Sequence, residues 1–466
     1  MKNLLRITGV TLIAALLLLP LSVSGCTKDE SVTDDPIVDG ADIQWEFFNE
    51  RAESFVATLS SGDFSGAREM FDASLRRTFS EAALQNDFWN IVIESAGEFV
   101  SIQRIDNAVV DEHFVSFITS LHENNGVVMR ILFSRDGSVS DVFIDGYKTL
   151  AGEITQRDGF TDYPVIIGEG TDFPLSGIMS VPDNAMEKVP AVVIVHSFGA
   201  HDTGATMATS KQYRDIAEHL ASNGIAVIRY DKRTFTYGTR FDGSWTAREE
   251  TIYDAVLATE MLKADPRIDE SRVFIIGHGF GGMLAPRIHA EGGDYAGLIL
   301  LAGSPRFMFD IGKDQRIAFI NETMEGEERD EALALIEASW DAQIRNFLDI
   351  PAEVAKTAPT IHGISAYHTI DLYNNPMSAF IDEVTGPILA LQGSDDKLVF
   401  AEVDFVLLQE MLASRSNVDF KLYEGLNHQF IPSAIGPSAG SSYDNAIEGQ
   451  IDSQVLADIV GWIHRN

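Results

Sequence analysis

Val273-Phe274-Ile275-Ile276-Gly277-His278-Gly279-Phe280-Gly281-Gly282-Met283-Leu284-Ala285-Pro286-Arg287-Ile288 is the stretch on which the reading of the fold turns. Its first four residues are an apolar run of the kind that fills a buried strand. Glycines at 277, 279 and 281 then permit a sharp turn with close backbone approach. Small residues from Gly281 onward open a helix. Strand, tight turn and helix are therefore expected in direct succession.

The same alternation extends outward on both sides. Strands are expected at 191–195, 226–230, 296–301, 388–392 and 419–423, with helices at 211–222, 248–263, 402–412 and 454–463. An antiparallel pair, 165–168 with 175–181, precedes them. Repeated βα units imply an α/β fold with a doubly wound, mostly parallel sheet and a site at the carboxyl ends of its strands. Residues 303–383 read as an irregular insertion carrying an acidic helical stretch at 325–343.

Ahead of this unit the pattern differs. Trp45, Phe48, Ala52 and Phe55-Val56 recur on one face of a helix over 45–59, and further helices are expected at 63–79 and 81–95. Short strands follow at 97–105, 107–110, 114–121 and 126–133, and Arg135-Asp136-Gly137 signals a hairpin before 139–144. Residues 43–147 are thus a small α+β domain, with helices on a curved antiparallel sheet. It holds no catalytic constellation, and its aromatics read as core. The second domain spans 148–466.

The first 25 residues are a targeting segment. Lys2 and Arg6 form a positive start, residues 10–23 are nearly all apolar, and Val23-Ser24-Gly25 leads into Cys26, the one cysteine of the chain. Val23-Ser24-Gly25-Cys26 resembles a bacterial lipobox, which implies cleavage before a lipidated Cys26 and an exported, envelope-bound protein. An uncleaved anchor or a core cysteine is the alternative. Residues 26–42 are acidic and turn-rich, a flexible tether. A single cysteine excludes disulfides and cysteine-based zinc sites. With 70 acidic against 34 basic residues the formal charge is −36. Such a surface repels phosphate backbones, so nucleic acid is not an expected partner.

Chemistry-bearing residues sit at the strand ends. Leu391-Gln392-Gly393-Ser394-Asp395-Asp396 follows one strand, and Gly425-Leu426-Asn427-His428 follows the last. A carboxylate there, Asp396 by its spacing from Gly393 or else Asp395, would orient His428 and stabilise its protonated form. Val195-His196-Ser197-Phe198-Gly199 follows a third strand, where a loop amide can face a developing oxyanion. Phe198 is the candidate for that N–H, with Phe280 supplying the second.

Four stretches make the resemblance specific: Arg229-Tyr230-Asp231-Lys232-Arg233, Asp265-Pro266-Arg267-Ile268-Asp269, the 277–287 segment and Gly425-Leu426-Asn427-His428. From about residue 175 onward the chain resembles the EstD-type bacterial esterases of the α/β-hydrolase superfamily. The first domain resembles the nuclear-transport-factor-like or cystatin-like domain found ahead of some such esterases. The resemblance implies a cofactor-free carboxylic-ester hydrolase with a Ser/Asp/His triad, and a lid in the place of 303–383. It carries over Asp396 and His428. It does not carry over the nucleophile, because the elbow's Gly-x-Ser-x-Gly has Gly279 in the serine position. Ser197 also replaces the glycine usual in the oxyanion loop.

Gly279 leaves three readings. The pocket binds an ester, lipid or peptidoglycan fragment without cleaving it; or Ser197, or a water activated by His428, replaces the missing hydroxyl; or Gly279 is a recent loss, an engineered change or a misread serine codon. A reading of another class makes the chain an envelope-tethered interaction protein working through 43–147. His196, His201 and Asp202 form a loop cluster that reads as hydrogen-bonding scaffold, so no metal is expected.

Overall fold

A computed structural model describes residues 45–110, 113–149, 152–183, 185–207, 210–238, 244–358, 360, 364–433 and 449–466. The expected signal segment, Cys26 and the tether lie outside these residues.

The N-terminal domain lays helices on one face of an antiparallel sheet. Its first helix, Trp45–Ser60, buries Phe48, Ala52, Phe55, Val56 and Leu59, the stripe that its periodicity announces. The sheet has the order β1 (Phe99–Val110), β2 (His113–His122), β3 (Gly126–Phe133) and β4 (Val139–Lys148). Two expectations are corrected. The single helix expected at 63–79 is two, Phe64–Glu69 and Ala73–Thr78, because Asp72 is extended and its carboxylate accepts the Ser74 and Leu75 amides as an N-cap. The two strands expected at 97–105 and 107–110 are one strand, β1, with irregular register between Phe99 and Ser101 and between Ile102 and Arg104. Asp106, which read as the break, pairs in regular register with Phe117, so the ladder runs on without interruption to Val110.

The second domain is built on a nine-stranded sheet. Its strands are β5 (Thr155–Gln156), β6 (Phe160–Ile167), β7 (Leu175–Pro182), β8 (Val189–Val195), β11 (Ala226–Tyr230), β12 (Ile268–His278), β13 (Leu298–Leu301), β14 (Ile388–Gly393) and β15 (Val418–Tyr423). The two-residue strands β9 (Thr206–Met207) and β10 (Ser210–Lys211) form a separate small hairpin. The large sheet runs β15-β14-β13-β12-β8-β11-β7-β6-β5. Its first six strands are parallel, and β7, β6 and β5 add antiparallel. β8 and β14 are buried at every residue, as strands covered by helices on both faces must be. The chain leaves β8 toward β11 and returns on the other side as β12, so strand order reverses between β8 and β12. That switch point is where an open α/β sheet leaves a crevice for a ligand.

Residues 303–383 are mostly helical rather than irregular, with helices at Met308–Thr323, Gly326–Leu348, Ala352–Ala355 and Ala366–Asn374. The 23-residue helix Gly326–Leu348 buries only Ile344. A helix that buries so little shows a weak apolar period, and its full length was accordingly not readable.

Candidate active site

Three loops converge at the switch point. β12 ends in Gly277-His278, and the helix Phe280–Ile288 begins one residue beyond Gly279. A Cβ at Gly277 would stand 2.4 Å from the Gly281 carbonyl oxygen, and one at Gly281 would stand 2.4 Å from that of Val195. Both glycines are therefore steric requirements of the elbow. Gly279 has φ +51° and ψ −109°, a conformation that a side chain resists.

From β14, Asp396 turns inward while Asp395 stays exposed. Oδ1 of Asp396 accepts the Leu398 and Val399 amides, each at 2.8 Å, and Oδ2 accepts Gln392 Nε2 at 2.8 Å. Oδ2 also meets His428 Nδ1 at 2.8 Å. This pairing places the Nδ1 proton toward the carboxylate and leaves Nε2 as an acceptor on the pocket side. The structure thus joins Asp396, and not Asp395, to His428. Asn427 shapes the His428 turn, since its Oδ1 accepts the Gln429 and Ile431 amides.

The third loop, after β8, is tied to the other two by a chain of neutral hydrogen bonds. The Ser197 amide donates to the Tyr213 hydroxyl oxygen at 3.0 Å, that hydroxyl reaches His278 Nδ1 at 3.2 Å, and His278 Nε2 donates to the His428 carbonyl at 2.9 Å. Only one tautomer of His278 satisfies this order, with the proton on Nε2. Burial holds the His278 imidazole well below its ordinary pKa, which keeps it neutral for both roles. Because Tyr213 takes the Ser197 amide, the next amide in the loop, that of Phe198, is the one left for the pocket. Among the described residues no hydrogen bond is recorded to the Phe198 or Phe280 amide. Their rings meet edge to face at 5.6 Å.

Gly279 lies between these groups. A Cβ built there would be 2.5 Å from Ser197 Oγ, 3.1 Å from His428 Nε2 and 3.3 Å from His428 Cε1. The Ser197 hydroxyl therefore borders the space that a side chain at 279 would fill, and the imidazole faces the same point. From here a trough of about 910 Å³ runs past Met283 to Phe319, Leu335 and Trp340 of the insertion helices. Its walls are chiefly apolar, as acyl-group sites are.

Tyr213 was not singled out from the sequence, and His278 and Lys232 were quoted only as members of matching stretches. Lys232 and Glu250 are both buried, with Nζ 2.6 Å from Oε1. Burial works to raise the Glu250 pKa, but the Lys232 ammonium together with the neighbouring His368 and His201 outweighs it, and the net shift is downward. Lys232 Nζ also lies 5.8 and 5.5 Å from the Phe198 and Phe280 ring centroids. No spacing rule marks a lysine that reaches its partners from beneath a loop.

His278 makes a pH prediction whose sign can be worked out. The unfolded chain protonates this imidazole near pH 6.5, whereas the folded chain does not until far lower, so its contribution penalises folding as pH falls below about 6.5. Asp231 and Asp254 act the other way, because burial pushes their carboxyls up to about 7 and about 6, so the folded chain gains protons first. Comparison with His278→Gln isolates the histidine. The stability advantage of the natural chain over that variant, read from urea midpoints, should shrink between pH 7.5 and 5 at up to about 1.4 kcal/mol per pH unit. An unchanged difference would mean that His278 is not held neutral.

Residues 192–434, just over half of the chain, match the profile of the Alpha/beta hydrolase family. The chain belongs to that family. As an α/β-hydrolase it is preceded by a match, over residues 52–141, to a family described as a protein of unknown function, DUF3887. Esterase EstD of Thermotoga maritima is 27% identical over 420 residues, covering 89% of this chain and 95% of the relative. The similarity is thus to an α/β-hydrolase of esterase type. Among solved structures, Est1E from Butyrivibrio proteoclasticus is 15% identical with a TM-score of 0.39, covering 65% of this chain and 96% of its own. The α/β hydrolase GrgF from a Penicillium species is 17% identical with a TM-score of 0.41, covering 66% and 98%.

Proposed function

We propose that this α/β-hydrolase is an envelope lipoprotein whose pocket takes an acyl ester, and whose turnover is crippled by Gly279. One observation carries the reading: the His428 imidazole, backed by Asp396, stands 3.1 Å from where a Cβ at 279 would lie. A base is aimed at a nucleophile that the chain lacks. In the acyl transfer for which this geometry is built, His428 takes the nucleophile's proton, Asp396 orients the ring, and the Phe198 and Phe280 amides receive the oxyanion. Each such amide is worth roughly 2.7–4 kcal/mol to the transition state. Loss of the serine in a comparable site costs on the order of 10⁶ in turnover, leaving about 10³–10⁴ over water. Short-chain nitrophenyl esters should bind the natural chain, read by protection against thermal unfolding, without turnover at ordinary esterase rates. Hydrolysis at such rates by the unmodified protein would sink this reading.

A second reading has its own observation, the Ser197 Oγ placed 2.5 Å from the same Cβ position. There Ser197 attacks in place of the missing side chain. Any turnover by the natural chain would then vanish in Ser197→Ala, and its persistence in that variant would eliminate Ser197.

The lipoprotein part of the proposal rests on the Val23-Ser24-Gly25-Cys26 stretch. Diacylation of one cysteine binds a bilayer far more firmly than a single chain does, since each buried CH₂ adds about 0.8 kcal/mol. In a bacterial host, Cys26→Ala should shift the protein out of the salt-washed membrane fraction. Retention there with residues 1–25 removed, as read by intact mass, would show that Cys26 is not the anchor.

A further inference from the structure

The segment that follows β11 is bonded to the oxyanion loop at four points. Lys232 Nζ donates to the Ser197 carbonyl at 3.0 Å, and Thr234 Oγ1 donates to that of Gly199 at 2.9 Å. The Lys232 amide donates to the His201 carbonyl at 2.8 Å, and the Thr203 amide donates to Asp231 Oδ1 at 2.9 Å. The first two bonds flank Phe198, whose amide is the proposed oxyanion donor. That amide's direction is therefore set by residues 231–234 and not by the loop alone.

The same segment is gripped from behind by the end of the N-terminal domain and by the connection that leaves it. Thr149, next after β4, donates its amide to Asp231 Oδ2 at 2.7 Å and its hydroxyl to Oδ1 at 2.5 Å. A Cβ at Gly146 of β4 would stand 2.2 Å from the Phe235 carbonyl oxygen, so the strand end is pressed onto the short helix Arg233–Thr236. Tyr147 and Phe235 bring their rings to 6.1 Å. Asp231 itself is fully buried, and among the described residues its carboxylate accepts from three donors, the Thr149 amide and hydroxyl and the Thr203 amide. A buried carboxylate is costly to keep, and burial pushes this one up to about 7. A role confined to filling space would be served by an apolar residue at less cost.

We propose that Asp231 is a positioning residue which ties the oxyanion loop to the connection leaving β4, making the N-terminal domain part of the scaffold of the ester site. This rests on the reading of the Phe198 amide as an oxyanion donor, and it assigns a function to the domain matched by DUF3887. The domain acts on the site through the Thr149–Asp231–Thr203 connection, without reaching the pocket itself.

Hydrogen–deuterium exchange on the full-length chain tests it. Thr149→Val removes one donor at the junction and keeps the backbone. It should speed exchange of the 199–205 amides about tenfold while leaving β14 and β15 unchanged, and Thr149→Ser should restore protection. Asp231→Asn should give the same local loss and serves if Thr149→Val does not fold. In the Gly279→Ser background, both variants should lower kcat several-fold with KM within about twofold. Exchange that rises equally in all segments, or that stays unchanged at 199–205, would overturn the proposal. Failure of Gly279→Ser to hydrolyse esters both alone and with Ser197→Ala would count against the esterase reading, while the exchange result would still decide this one.

Discussion

Gly279→Ser combined with Ser197→Ala should raise nitrophenyl ester turnover over the natural chain by about 10⁴-fold or more, approaching the roughly 10⁶ that a nucleophile is worth in a comparable site. The pairing matters. A Cβ at 279 would lie 2.5 Å from Ser197 Oγ, so Gly279→Ser alone forces that hydroxyl to rotate away, and Ser197→Ala removes the conflict. The double variant should therefore exceed the single one. Gain of activity should come with loss of stability, because φ +51° and ψ −109° suit glycine and strain serine. A cost of about 1–3 kcal/mol is expected from that conformation, visible as a lower urea midpoint. Full stability with full activity would show that the elbow is less strained than its dihedrals indicate. No activity in either variant would mean that decay of the site extends past the nucleophile.

In that restored background, Asp396→Asn should lower kcat by about 10⁴, as expected when the group that fixes the imidazole tautomer is lost. An asparagine offers Nδ2–H donors toward His428 Nδ1 and would favour the tautomer with its proton on the wrong nitrogen. The Leu398 and Val399 amides, both now on Oδ1 of Asp396, would tend to hold the new side chain with its amide facing the imidazole. His428→Ala should cost at least as much. Asp395→Asn provides the contrast, because that carboxylate is exposed and, among the described residues, bonded to its neighbour Ser394 alone. A large effect from Asp395→Asn, or a small one from Asp396→Asn, would reverse the assignment of the acid.

Much of this architecture was legible because buried parallel strands write themselves as short apolar runs. The runs 191–195, 273–276 and 388–392 all fall within strands of the sheet, and the helix after Gly279 begins where small residues follow the turn. Asp396 and His428 could be located because chain order and strand ends narrow the choice to a few positions. What escaped was chemistry between neutral groups distant in sequence. Tyr213 and His278 connect Ser197 to His428 through one proton order, yet Tyr213 lies in no motif and His278 only fills a variable place in the elbow. Asp231 was visible only as part of a family stretch, and its partners Thr149 and Thr203 lie 82 and 28 residues away in sequence. The insertion helices were underestimated for the opposite reason, since they bury too little to show a clear period.

The account stands or falls on whether the elbow has lost its nucleophile while the rest of the site remains. Reaction with a fluorophosphonate, followed by intact mass and peptide mapping, asks this directly because the reagent needs an activated hydroxyl but no particular acyl group. The natural chain should remain unlabelled, and Gly279→Ser should gain one adduct on the 277–287 segment. An adduct on Ser197 of the natural chain would contradict the account, and would place the attacking hydroxyl on the oxyanion loop.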